Sequence, residues 1–200
     1  RGQPHPRDLR HLPRLPGLSA RASPRVDGVQ VVVMGVSATG KSSVAERVAE
    51  SLGWGFTEGD DLHPRANVAK MEAGDPLTDA DRWPWLTRVG EAMAANERDG
   101  HHGVVTCSAL KRAYRDRLRE HVPDLWFLHL HAPTEVLAER MAQRTRHFMP
   151  TSLLTSQIET LEPLDDDEAG RVVDVPPPLD EVVAAALDAL AAHRDDVRRS

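Results

Sequence analysis

A glycine-rich stretch, Gly35-Val36-Ser37-Ala38-Thr39-Gly40-Lys41-Ser42, carries the most recognisable chemistry of the sequence. Two glycines separated by four residues and followed by Lys and Ser are typical of a phosphate-binding loop. The glycines let backbone N–H groups approach a phosphate closely, and the N-terminus of the next helix faces the anion. Lys41 can reach the β- and γ-phosphates of a nucleotide, and the Ser42 hydroxyl can ligate Mg²⁺ directly. The expected phosphate-binding residues of this loop are Gly35, Ser37, Ala38, Thr39, Gly40, Lys41, Ser42 and Ser43.

The residues on either side of the loop predict the strand and the helix that it needs. Residues 31–34 are a short apolar run, which suits a buried parallel strand. Residues 43–52 favour a helix with apolar side chains at helical spacing, and Gly53 is placed to end that helix. The loop therefore lies in the strand–loop–helix context in which phosphate binding occurs.

A second group of polar residues follows the next predicted strand, residues 54–57. Glu58, Asp60, Asp61 and His63 come after it, at the edge of an open α/β sheet where ligands bind. One carboxylate here can organise Mg²⁺ through water, and another can hold or deprotonate an acceptor hydroxyl. Asp61 is expected to cap a helix or to face solvent.

The rest of the chain alternates helices with strands. A helix capped by Thr78 or Asp79 is expected to run through Met93, and a polar connection is expected at residues 96–103. The other predicted elements are helices at 65–72, 112–121, 134–144, 151–161 and 180–194, and strands at 104–107, 125–131 and 171–175. This alternation indicates a mainly parallel sheet covered on both faces, in one nucleotide-binding domain of residues 28–200.

The composition excludes several classes of protein. The 200 residues are 40% hydrophobic, which supports one domain with a core, and no apolar run is long enough to span a membrane. The net charge of −6 gives no general argument for nucleic-acid binding. The single cysteine, Cys107, excludes an internal disulfide framework and fits a reducing compartment, so we expect a cytoplasmic protein.

Residues 1–27 differ in composition from the remainder. They contain five prolines, six arginines and no aromatic residue, and they contribute +4 to the net charge, which leaves −10 for the body. Such a segment cannot bury enough apolar surface to fold alone. We expect a disordered basic extension, with a targeting or docking segment as the alternative.

The motifs distinguish between the classes of phosphate-loop protein. A GTPase would need an Asn-Lys-x-Asp motif, and neither Asn67 nor Asn96 begins one. A motor ATPase usually has an acidic residue after its third strand, where this chain has Cys107-Ser108. Carboxylates after the second strand favour a small-molecule kinase. A shikimate-like or nucleotide kinase and a non-catalytic phosphate-loop binding protein remain alternatives.

Blocks along the chain resemble gluconokinase. The matching blocks are residues 35–42, 59–64, 67, 70–71, 74, 76–79, 81–86, 107–111, 114–116, 147–150, 156–157 and 159–162. The resemblance covers residues 29–190 in order. It implies a nucleoside-kinase-like α/β fold of three layers, similar to shikimate kinase, with a five-stranded parallel sheet in the order 2-3-1-4-5 and a helical lid at about residues 140–160. It also implies ATP-dependent phosphorylation of D-gluconate to 6-phospho-D-gluconate, a step of gluconate degradation, by a homodimer that uses Mg²⁺ with ATP.

The resemblance also implies roles for individual residues. Asp60 matches the carboxylate that holds the acceptor hydroxyl, and Arg82 matches the cation for the acceptor carboxylate, with a similar role for Lys111. Purely structural alternatives are a helix cap for Asp60 and a surface ion pair for Arg82. The expected catalytic residues are Lys41, Asp60 and Arg144, and the expected substrate-binding residues are Asp60, His63, Asn67, Arg82, Ser108, Lys111 and His147.

Two arginines are candidates for the lid. Arg140 and Arg144 are four residues apart, on one face of a helix that enters a loop, so either can contact phosphate and neutralise charge on the transferred group. The alternative is a solvated basic helix end that the helix dipole favours. Arg144 is the preferred lid cation.

The chain departs from the family pattern at two positions of the site. Ala38 stands where the family commonly has Gly, and a positive φ there would cost about 1 kcal/mol. Glu58 stands where many relatives have Asp, which leaves its contact with Mg²⁺ through water open.

Overall fold

The computed structural model describes residues 28–143 and 151–199, so the expected extension at residues 1–27 lies outside it. The strands are β1 (Gln30–Met34), β2 (Gly55–Thr57), β3 (Gly103–Thr106), β4 (Trp126–His131) and β5 (Gly170–Asp174). The helices are α1 (Lys41–Leu52), α2 (Arg65–Glu72), α3 (Asp79–Arg98), α4 (Arg112–Arg119), α5 (Thr134–Gln143), α6 (Thr151–Thr160) and α7 (Leu179–Arg199).

The five strands form one parallel sheet in the order β2-β3-β1-β4-β5, which confirms the expected topology. The central strand β1 pairs with β3 through Val31 and Val104 and with β4 through Val31 and Trp126. All five residues of β1 are buried, because a central parallel strand is covered on both faces. The apolar run that predicted this strand thus forms the centre of the core.

Helices cover both faces of the sheet. Right-handed crossovers between parallel strands place α1 on one face and α2 to α6 on the other. The last helix, α7, packs against α1 and β5, and α3 packs against α4 and β3. The result is the expected three-layer α/β fold.

Local signals set the ends of two helices near the site. Gly53 follows α1 with a left-handed φ of 67°, and its N–H donates to the Glu50 carbonyl oxygen. Thr78 caps α3, since its hydroxyl accepts from the Asp81 N–H while the Asp81 carboxylate accepts from the Thr78 N–H. This reciprocal cap fixes the first turn of the helix that carries Arg82.

Some boundaries differ from the prediction. The helix α3 continues to Arg98, so the polar connection before β3 is shorter than expected. A 3₁₀ turn at Gly59–Leu62 was not predicted, because a segment of four residues is too short to show a helical periodicity. Within the described residues, no helix combines the length and apolar character that a membrane crossing requires.

Candidate active site

The phosphate loop connects the buried strand β1 to α1, which begins at Lys41. Gly35 has a φ of 138°, and a Cβ added there would lie 2.6 Å from the carbonyl oxygen of Leu130. A side chain is therefore excluded at the start of the loop. Inside the loop, the Thr39 hydroxyl donates to the Val36 carbonyl oxygen at 2.8 Å, and Lys41 Nζ donates to the same oxygen at 3.1 Å.

Ala38 adopts the positive φ that the family's glycine would allow. Its φ is 67°, in the left-handed region, and its side chain is buried. This conformation costs an L-residue about 1 kcal/mol. The loop therefore carries the strain that we expected if φ was positive at this position. Ser42 and Ser43, in the first turn of α1, are exposed and accessible to a ligand.

The acidic turn after β2 is anchored through Gly59. The Gly59 N–H donates to the Thr106 hydroxyl at 2.9 Å, and its carbonyl oxygen accepts from Trp85 Nε1 at 2.7 Å. A Cβ on Gly59 would lie 1.9 Å from the Thr106 carbonyl oxygen, so the turn can approach β3 only with glycine. The Thr106 hydroxyl in turn donates to Glu58. These contacts fix the backbone immediately before Asp60.

Asp60 is in an environment that disfavours its charge. Loss of solvent around the carboxyl raises its pKa, and the charge of Lys41 opposes this shift. The negative charges of Glu58 and Asp61 raise the pKa further. The side chain is nevertheless 72% exposed, because it faces an open cleft. A carboxylate with a raised pKa that remains accessible can accept a proton from a bound hydroxyl.

His63 is a neutral, buried neighbour of Asp60. Burial and the charge of Arg82 lower the pKa of His63 to about 4. Its ring stacks on Trp85 with 4.1 Å between centroids, and its Nδ1 lies 3.2 Å from the amide nitrogen of Asn67. Because that amide nitrogen is a donor, Nδ1 accepts and Nε2 carries the proton. Nε2 is 4.0 Å from Asp60 Oδ1.

Arg82 lies at the end of the first turn of α3 and faces the same cleft. Its Nη1 donates to the carbonyl oxygen of Leu77, and its guanidinium carbon is 5.8 Å from the centre of the Tyr114 ring. The cation is thus held in place while its other N–H groups remain available to a carboxylate.

Lys111 is paired with Asp79 at the rim of this region. Its Nζ donates to both carboxylate oxygens of Asp79 at 2.9 and 2.8 Å, and the Tyr114 hydroxyl donates to the same carboxylate. Hydrogen bonding lowers the pKa of Asp79, and Lys111 contributes more to this shift than Tyr114. In the structure Lys111 lies outside the lining of the cleft.

One cleft brings the two predicted halves of the site together. It is lined by Ser37 and Lys41 from the phosphate side and by Asp60, His63, Arg82 and Ser108 from the acceptor side. A donor phosphate and an acceptor hydroxyl can therefore meet in it.

Other predicted residues lie elsewhere. Asn67 is buried and donates to the Asp81 carbonyl oxygen at 2.8 Å, so it joins α2 to α3. Arg140 donates from Nη2 to the Val175 carbonyl oxygen, outside the cleft. Arg144 and His147 lie outside the described residues.

Several residues that line the cleft were not assigned to it from the sequence, and two of them make hydrogen bonds that shape it. Gln157 of α6 accepts a hydrogen bond from the Ser37 N–H, and Trp85 of α3 donates from Nε1 to the Gly59 carbonyl oxygen. Both contacts join segments that are distant in the chain, and neither glutamine nor tryptophan is part of a phosphate-binding pattern. Both lie in blocks that resemble gluconokinase, but the resemblance was not taken to give either residue a place in the cleft.

The residues present suit a metal ion that is held mainly by nucleotide. Within residues 28–143 and 151–199, no group of three or more His, Cys, Asp or Glu side chains could hold a metal. A phosphate-loop Ser supplies one hydroxyl ligand, and the phosphates and waters supply the rest, so such a cluster is not required. The exposed Ser42 fits that role.

The fold and this cleft define a P-loop kinase of small molecules. A family model described as AAA domain matches residues 31–164. The chain is 54% identical over 138 residues to a gluconokinase of Gluconobacter oxydans (strain 621H), covering 69% of this chain and 78% of that protein. It is 45% identical over 160 residues to the thermoresistant gluconokinase of Escherichia coli (strain K12), covering 80% of this chain and 91% of that protein.

Solved structures agree with these relatives. The crystal structure of a gluconokinase from Sinorhizobium meliloti 1021 matches with a TM-score of 0.79 and 52% identity, over 87% of this chain and 97% of that one. An APS kinase of Mycobacterium tuberculosis, at 20% identity and a TM-score of 0.62 over 82% of this chain and 98% of that one, shares the fold. The chain belongs to the gluconokinase family.

Proposed function

We propose that this chain transfers a phosphoryl group from ATP to D-gluconate and forms 6-phospho-D-gluconate. The observation that carries the proposal is the single cleft in which Lys41 of the phosphate loop faces Asp60 and Arg82. Family membership identifies the acceptor, since the relatives named above are gluconokinases. The geometry supplies the two binding halves that the transfer needs.

The phosphate loop binds the donor. Backbone N–H groups from Ser37 to Ser43 cradle the phosphates, while the Gly35 N–H donates to the Ser108 carbonyl oxygen and Gly35 serves the loop by its conformation. Lys41 stabilises charge on the transferred group. Mg²⁺, held by Ser42 and by phosphate oxygens, would neutralise charge on the nucleotide. Glu58 is the proposed contact to the metal through water; its hydrogen bond with Thr106 leaves its other oxygen for that contact.

The turn and α3 bind the acceptor. Arg82 pairs with the carboxylate of gluconate, while Asp60 holds the terminal hydroxyl and accepts its proton as the oxygen attacks phosphorus in line. His63 donates from Nε2 to a substrate oxygen, and Ser108 lines the same cleft. Asn67 contributes to substrate binding by orienting the His63 ring through its hydrogen bond to Nδ1. Lys111 contributes from the rim of the cleft, where it is paired with Asp79.

Other features are proposed on family resemblance. Arg144 is the lid cation, and His147 contacts substrate from the lid. Arg140 contacts phosphate after its hydrogen bond to the Val175 carbonyl oxygen breaks. The active form is a homodimer in the cytoplasm. The buried Cys107 thiol, whose pKa burial raises to about 12, is unreactive and has no part in the reaction.

A panel of acceptors tests the proposal. ADP release from MgATP is measured in a coupled assay with D-gluconate, shikimate, glycerate and nucleoside monophosphates at equal concentration. We expect gluconate to stimulate release far more than the others. Equal stimulation by all acceptors would reject the assignment of the acceptor, and nucleotide binding without any stimulated turnover would support a non-catalytic binding protein instead.

A further inference from the structure

Gln157 occupies one of the phosphate-binding positions of the loop. Its side-chain Oε1 accepts a hydrogen bond from the Ser37 N–H at 2.7 Å. Ser37 is among the residues whose N–H groups are expected to bind phosphate, and a carboxamide oxygen is the same kind of acceptor as a phosphate oxygen. The side chain thus stands where a phosphate oxygen would bind.

The position of Gln157 is fixed by the rest of α6. Leu154 of the same helix is buried in the core. Just after the helix, the Glu162 N–H donates to the Leu110 carbonyl oxygen at 2.8 Å, and the Glu162 carboxylate accepts from the Arg112 N–H at 2.5 Å. Arg115, itself buried, donates to the Glu162 carbonyl oxygen at 3.0 Å. These contacts anchor α6 to the loop after β3, so Gln157 is held over the phosphate loop.

A bound phosphate and the Gln157 oxygen compete for one hydrogen. The Ser37 N–H can donate one good hydrogen bond, and two acceptor oxygens at that point repel each other. The carboxamide also has an NH₂ group with two donors, and its terminal torsion is soft. A phosphate oxygen can take this place only if the Gln157 side chain withdraws from Ser37. After it withdraws and turns its amide, the NH₂ group can donate to that phosphate.

We propose that Gln157 accepts from the Ser37 N–H until ATP binds, and that it then withdraws from Ser37 and turns its amide to donate to the transferred phosphoryl group. The cleft supports the choice of phosphate, because Gln157, Ser37 and Lys41 line it together with Asp60 and Arg82 of the acceptor side. The phosphate at that point is the one nearest the acceptor, the γ-phosphate. A neutral donor there adds to the stabilisation by Lys41.

The identity of the transferred group rests on the proposed function, but the exchange on Ser37 depends only on nucleotide binding. The substitution Gln157→Glu separates the two properties of the amide, since a carboxylate has the same shape, accepts from Ser37 and cannot donate. Its charge also repels phosphate. Gln157→Ala removes the acceptor and the donors together.

Calorimetric binding of Mg²⁺–adenylyl imidodiphosphate and of ADP, without gluconate, is the test. We expect Q157E to weaken the triphosphate analogue at least about tenfold and ADP less than about threefold, because only the former carries a phosphate next to Gln157. Q157A should bind the analogue within about threefold of the unsubstituted chain, since loss of the competitor offsets loss of the donor. Glu159→Gln, at an exposed position of α6 that does not line the cleft, is the control and should bind both nucleotides normally.

A purely structural role for Gln157 predicts a different pattern. Unchanged binding of the analogue by Q157E, or equal weakening of analogue and ADP, would overturn the proposal. Thermal unfolding of each variant checks that the fold is retained. Because gluconate is absent, the result does not depend on whether gluconate is the acceptor.

Discussion

The indole N–H of Trp85 donates to the carbonyl oxygen of Gly59 at 2.7 Å, and this bond joins the helix of Arg82 to the turn of Asp60. Both residues are buried. The two groups that are proposed to hold the acceptor, one on a helix and one on a turn, therefore have a fixed relative position. The same indole stacks on His63, which adds a second contact between the two elements.

Replacing Trp85 by Phe should loosen this connection. The Gly59 carbonyl oxygen would lose its partner in a buried place, which costs about 1–3 kcal/mol of unfolding free energy. Misplacement of Asp60 relative to Arg82 should lower kcat/KM for gluconate by about ten- to a hundredfold. Urea denaturation and steady-state kinetics measure the two effects. Trp83→Phe is the control, since Trp83 is 37% exposed, and equal kinetics for both variants would contradict the assigned role.

Replacing Asp60 by Asn should remove the proposed base. We expect kcat to fall by about 10² to 10⁴ while binding of a non-hydrolysable ATP analogue is retained, because the amide cannot accept the proton. Asp61→Asn, one position along the same exposed turn, should keep most of its turnover. Turnover of D60N at the level of the unsubstituted chain would remove Asp60 from the mechanism.

Replacing Arg82 by Met should weaken acceptor binding selectively. Loss of a charge-assisted contact to the gluconate carboxylate should raise KM for gluconate about 30-fold or more and leave KM for ATP nearly unchanged. Initial-rate kinetics with each substrate varied in turn measure this difference. Arg88→Met on the same helix is the matched control, since Arg88 only approaches the Leu62 carbonyl oxygen at 3.4 Å. A parallel rise of both KM values would indicate a structural role for Arg82.

The buried pair of Arg115 and Glu168 should make stability depend on pH. Burial opposes the charge of Glu168, but hydrogen bonds from Arg115, the Asp165 N–H and Arg119 hold its pKa at about 2 instead of 4.5. A lowered pKa stabilises the fold above about pH 4.5, and this contribution, about 3 kcal/mol, is lost as the pH falls toward 2.

Glu168→Gln tests this dependence. Urea denaturation at several pH values should show a deficit of about 3 kcal/mol at pH 7 that narrows below pH 4.5. Glu120→Gln removes an exposed pair with Arg117 and should change stability by less than about 1 kcal/mol. A deficit for E168Q that stays constant down to pH 2 would show that the pair does not titrate as described.

Much of the fold was predictable because its signals are local. The apolar run of β1, the phosphate loop and the glycine at position 53 are read directly from neighbouring residues, and the alternation of elements predicts a parallel sheet. The strand order and the identity of the acceptor came from resemblance to a family, since no local pattern specifies them.

The contacts that complete the cleft were less predictable for a physical reason. The hydrogen bond between Ser37 and Gln157 joins residues 120 positions apart. The hydrogen bond between Gly59 and Trp85 involves a backbone oxygen and a large aromatic side chain, which the sequence alone suggests is a packing residue of the core. The pairing of Lys111 with Asp79 likewise depends on how α3 and α4 pack. Such contacts are set by tertiary structure and leave no periodic signal.

The most direct measurement of the central claim is the chemical identity of the product. The protein is incubated with MgATP and D-gluconate, the mixture is followed by ³¹P NMR, and the phosphorylated acid is then tested as a substrate of 6-phosphogluconate dehydrogenase. We expect a phosphomonoester signal that grows in step with ADP, and a product that the dehydrogenase oxidises. ADP formed without phosphorylated gluconate, or a phosphate ester that the dehydrogenase does not accept, would contradict transfer to the terminal hydroxyl of gluconate.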